Sequence, residues 1–99
     1  MEDNLKDALY DNEKFAQYRS ERDDIDVVLD LTDFKWVLTD QLRAGFRNDD
    51  EAWVKSITGL IIRTKSRIAE VKRALRKAGR GEEMDDALFD LRQDRDDDN

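Results

Sequence analysis

The chain has 99 residues, 25 of them acidic and 18 basic, for a formal net charge of −7. It contains no Cys and no His, which excludes disulfides, thiol chemistry, the common zinc and haem sites and the usual acid–base catalyst at neutral pH. With no Pro, four Gly and 43 % charged residues it is either a long-helix protein or a disordered one, and apolar periodicity over 21–79 favours helices.

Charge falls into three blocks: residues 1–54 carry a net −8, residues 55–80 a net +8 and residues 81–99 a net −7. Only the middle block has the electrostatic character of a surface for nucleic acid or an acidic partner. The first residues, MEDNLKDALYDNE, are acidic and lack the apolar stretch of a signal peptide. No apolar run approaches the length of a membrane span, about 18 residues. A cytoplasmic or virion-associated location is therefore expected.

Residues 3–19 bring Leu5, Ala8, Leu9, Phe15, Ala16 and Tyr18 at helical spacing and predict a short amphipathic helix. Residues 21–47 follow with Val27, Leu31, Phe34, Leu38, Gln41 and Gly45 at spacings of four and three. Thr32-Asp33 is a candidate fresh N-cap, so this region reads as one helix or two. Asn48-Asp49-Asp50-Glu51 fits a capping box with Asn48 as N-cap and opens a helix over 49–79, closed by Gly79 or Gly81.

That helix keeps a seven-residue repeat. Val54, Ile61, Ile68 and Leu75 share one position; Ile57, Thr64, Val71 and Ala78 share the other. Trp53 and Leu60 widen the seam and call for a third layer of packing, for which the first helix or a second chain is the candidate. A turn near 47–50 predicts an antiparallel hairpin in which Asp30 faces Arg67. After Gly81, Met84, Ala87, Leu88 and Leu91 recur at three and four residues in an acidic background, which predicts a short helix ending in a solvated DDDN tail.

The expected fold is all-α: an antiparallel hairpin or small three-helix bundle over 1–80 with coiled-coil-like heptads, followed by an acidic segment over 81–99. The expected function is non-enzymatic: protein–protein interaction or assembly, with self-association through the helical seam and without cofactor, metal or small-molecule substrate. Small charged helical proteins of this type are often virion components or regulators in phages. The interface candidates are Trp53, Ile57, Leu60, Ile61, Ile68, Val71 and Leu75 on the long helix, and Met84, Leu88 and Leu91 beyond it. The alternative is nucleic-acid binding by Lys65, Arg67, Lys72, Arg73, Arg76, Lys77 and Arg80, with the acidic segment covering them or itself mimicking phosphates. Trp36, beside Lys35, reads as a partly exposed contact residue. Asp23, Asp26, Asp30 and Asp33 read as a solvated face, because no nucleophile or electrophile stabiliser accompanies them.

Overall fold

The computed structural model describes residues 2–97, and side chains from Leu5 to Arg95. Among these residues the regular secondary structure is five helices and no strand, in the order α1 (Glu2–Tyr10), α2 (Asn12–Ser20), α3 (Asp24–Arg47), α4 (Glu51–Lys77) and α5 (Gly81–Asp97). No described helix is long and apolar enough to cross a membrane.

The N-terminal helix expected over 3–19 is broken at Asp11. Its backbone is extended (φ −123°, ψ 114°), and its carboxylate accepts from the Glu13 and Lys14 amides. Asp favours this capping geometry over a helix interior, so it ends α1 and starts α2. Asp23 opens α3 the same way, accepting from Ile25 N. From there α3 continues unbroken. Thr32 starts no new helix; its hydroxyl donates to the Val28 carbonyl at 2.7 Å inside the core.

Asn48 does not cap α4. It ends α3, and Asp50 is the N-cap, accepting from Trp53 N. The capping box shifts because Asp49 takes a left-handed conformation (φ 56°), which closes α3 with bonds from Asp49 N to the Phe46 carbonyl and from Asp50 N to the Gly45 carbonyl. The second turn repeats this pattern. Gly79 (φ 75°) donates to the Arg76 carbonyl, and Arg80 N donates to the Leu75 carbonyl. Both reversals therefore take three residues and fix the angle at which the next helix leaves.

α3 and α4 run antiparallel. At one end the Trp53 indole lies on Gly45; at the other, Arg19 bridges Asp24 of α3 and Glu70 of α4. α5 returns along α3, held at its start by Arg80–Asp23 (3.0 Å) and at its end by Arg95 against Asp40 and the Trp36 ring. The α1–α2 pair covers the side of α4 that carries Leu60 and Arg67. One core joins all five helices: Leu9 and Phe15 from α1–α2, Val27, Leu31 and Leu38 from α3, Ile57, Val71 and Leu75 from α4, Met84 and Leu88 from α5. The molecule measures 45 × 35 × 20 Å. Its thinnest dimension is about two helix diameters, so much of α3 and α4 keeps an outward face.

The segment over 81–99 is not a short helix with a loose tail over its described length. It is a 17-residue helix whose Met84 and Leu88 are buried. Asp96 and Asp97 of the expected DDDN tail belong to α5, while Asp98 and Asn99 lie outside the described residues.

Candidate interaction surfaces

The ten interface candidates sit mostly inside the chain itself. Ile57, Leu60, Ile68, Val71, Leu75, Met84 and Leu88 are buried; Ile61 and Leu91 are half-buried. The third layer over Trp53 and Leu60 has two candidates, the first helix and a second chain. At Leu60 the α1–α2 pair fills it, whereas Trp53 stays 42 % exposed, packed on Gly45 with its Nε1–H donating to the Gln41 carbonyl at 3.3 Å. Thr64, the polar member of the heptad, is buried with its hydroxyl on the Leu60 carbonyl.

The seven basic candidates divide into three roles. Arg67 is 9 % exposed and ties α4 to the α1–α2 junction: it donates to the Leu9 carbonyl (3.3 Å), to Asn12 Oδ1 (2.9 Å) and to Glu70 Oε2 (3.1 Å), with its guanidinium over the Phe15 ring. The expected Asp30–Arg67 pair is absent, because α2 is interposed and its Tyr18 hydroxyl donates to Asp30. Burial and then the Asp30 charge push the Tyr18 phenol up to about 12. Arg80 is the second structural cation. It forks between Asp23 and Glu83, and its hydrogen bonds hold both carboxyls below their ordinary values. Arg73, Arg76 and Lys77 edge a shallow depression shared with Arg19, Glu70 and Ala74.

Lys65 and Lys72 take the third role. They act on Lys35 of α3 together with Arg92 of α5. Partial burial, then the charges of Lys65, Lys72 and Arg92, lower the Lys35 ammonium below its ordinary value. Among the described residues none of these four cations has an ion-pair partner. Lys35 and Arg92 lie outside the basic block, in acidic surroundings, so a reading by charge block passes over them. The available signal was that Lys35 is the sole base between Arg22 and Arg43.

Two outward stripes remain on the long helices. On α3, Asp26, Asp30, Asp33, Val37 and Asp40 follow one another at four-three spacing, and all are exposed. On α4, Lys55, Gly59, Ile62, Ser66, Ala69 and Arg73 recur at the same spacing, and all but the half-buried Gly59 are exposed, Ile62 at 62 %. Trp36 is half-buried beneath Arg95. No group of His, Cys, Asp and Glu suited to a metal ion occurs among the described residues. No family model, curated protein or solved structure matches this chain.

Proposed function

We propose that this protein is a non-enzymatic assembly element whose copies associate through complementary helix faces, the basic outer stripe of α4 on one copy against the acidic outer stripe of α3 on the next. The observation that carries this reading is the opposition of the two stripes. One presents Lys55 and Arg73 around Ile62; the other presents Asp26, Asp33 and Asp40 around Val37. Ser66 and Ala69 leave a low surface between Ile62 and Arg73, which favours close approach of a second helix.

Charge also selects the mode of pairing. Two α4 stripes facing each other would oppose Lys55, Arg63 and Arg73 with their own kind, and two α3 stripes would oppose aspartates. Pairing α4 with α3 joins unlike surfaces, so the contact is head-to-tail and propagates to a ring or a filament. Self-association thus moves from the apolar seam, which the chain uses for its own core, to its charged outer faces. Such an element fits a virion component or a cytoplasmic regulator.

Sedimentation velocity at low salt tests this. The wild type is expected above 11.7 kDa, and Ile62→Glu, which places an acid at an exposed position in the stripe, is expected at the monomer mass. A wild type that sediments as a monomer at low salt and high concentration overturns the proposal. So does an Ile62→Glu variant that assembles as well as the wild type.

A further inference from the structure

We infer that Lys35, Lys65, Lys72 and Arg92 form a binding site for a run of adjacent phosphates, built where α3, α4 and α5 meet. This site is separate from the two outer stripes and does not depend on them.

Among the described residues the four cations lack acidic ion-pair partners. Along their own helices, Lys35 has Leu31, Thr32, Leu38 and Thr39 at the neighbouring three- and four-residue positions. Lys65 has Ile61, Ile62, Ile68 and Ala69, and Lys72 has Ile68, Ala69, Leu75 and Arg76. None is acidic, in a chain with 25 acids. Only Arg92 has a carboxylate at such a spacing, Asp96. Across helices, Arg95 stacked on Trp36 brings Arg92 of α5 towards Lys35, partial burial and then the charges of Lys65, Lys72 and Arg92 depress the Lys35 ammonium, and no described ion pair joins any of the four to a carboxylate. Other cations of this protein are matched with care, Arg19, Arg67 and Arg80 each by at least two polar groups.

The topology explains how they meet. α3 and α4 run antiparallel, which sets Lys35 level with the middle of α4. Arg95 stacked on Trp36 brings the last turns of α5 beside that part of α3, and Arg92 lies one turn before Arg95. Lys65 and Lys72 stand two turns apart on one face of α4, about 10 Å along the axis. A single carboxylate cannot reach both, whereas several linked phosphates can. Three like charges around a half-buried lysine oppose folding, and a phosphate chain supplies the missing counter-charge with charge-assisted hydrogen bonds.

Free polyphosphate and the backbone of a nucleic acid share this chemistry. The test separates them by following thermal unfolding and amide chemical shifts at fixed ionic strength, with sodium tripolyphosphate in one arm and a single-stranded DNA oligonucleotide in the other. The inference predicts a saturable rise in Tm in at least one arm, with shifts centred on residues 35, 65, 72 and 92. Saturation by tripolyphosphate alone identifies a compact anion; tighter binding of DNA, weakening steeply with salt, identifies a strand. Lys65→Gln with Lys72→Gln should weaken binding at least about tenfold, as expected for loss of hydrogen bonds to charged groups. Arg73→Gln with Lys77→Gln should leave it within about twofold. Lys35→Gln should raise Tm without ligand and remove the ligand-induced rise, a combination that misfolding does not produce. Absence of saturable binding in both arms, or equal loss in the Arg73/Lys77 variant, overturns the inference.

Discussion

Replacing Arg67 is the most severe single change the architecture predicts outside the apolar core. Arg67→Ala removes donors from the Leu9 carbonyl, in the last turn of α1, and from Asn12 Oδ1, on the first residue of α2. It also removes the guanidinium stacked 4.5 Å from the centre of the buried Phe15 ring. Hydrogen bonds to a charged group contribute roughly 1.5–3 kcal/mol each, and the 3.3 Å bond to Leu9 belongs at the low end. A partly desolvated cation–π contact adds about 1 kcal/mol. The Glu70 pair is discounted, because that carboxylate is 41 % exposed and water replaces its partner. The sum is about 4–5.5 kcal/mol, a large share of the roughly 5–15 kcal/mol that stabilises a domain. Arg67→Lys keeps the charge but not the planar fork, so it should cost less, about 1–3 kcal/mol. In urea denaturation followed by circular dichroism, the midpoint should fall in the order wild type, Lys, Ala. An alanine variant within about 1 kcal/mol of wild type would refute the view that Arg67 fastens α1–α2 to the bundle.

Three further outcomes follow from the backbone and the ion pairs. A Cβ at Gly45 would lie 2.6 Å from Trp53 Cδ1 and 3.1 Å from Val54 Cγ2. Gly45→Ala should therefore destabilise by about 1–2 kcal/mol despite alanine's better helix propensity, and should red-shift the fluorescence of Trp53 as it is displaced. Asp49 holds a left-handed conformation without being glycine, so Asp49→Gly should stabilise by about 1 kcal/mol, read as a higher urea midpoint. Arg80 depresses the carboxyls of Asp23 and Glu83 in the folded state, so its contribution is present above their unfolded values near pH 4 and is lost as pH falls through the lower folded values. The Tm difference between wild type and Arg80→Gln should accordingly shrink below about pH 4; a difference that stays constant to pH 2 contradicts the clamp.

Periodicity made the long helices and their hairpin legible, because apolar spacing reports which face is buried. It does not report what buries it. The Trp53–Leu60 side of α4 suits a second chain as well as the first helix; Leu60 is buried within the chain while Trp53 stays 42 % exposed. Cap identity depends on backbone conformation, and the left-handed turn at Asp49 moved the α4 cap from Asn48 to Asp50. Met84 and Leu88 carried a pattern for docking, but seventeen residues at a net acidic charge read as a marginal helix until a surface is present to receive them. The basic block was visible as charge and misleading as a unit, since Arg67 and Arg80 serve the fold while Lys65 and Lys72 join cations from two other helices. That grouping depends on how three helices meet, which no linear window contains.

Assembly through opposed stripes has one direct test, sedimentation of a pair of charge-reversed variants. Lys55→Glu with Arg73→Glu makes both stripes acidic, and Asp26→Lys, Asp30→Lys and Asp33→Lys together give both a net positive charge. Each variant alone should sediment at 11.7 kDa in about 50 mM salt, where such pairs are only partly screened. Mixed in equal amounts, they should recover the wild-type assembly, because every contact is again between unlike faces. If the mixture stays monomeric while the wild type assembles, the contact lies elsewhere and the account is contradicted.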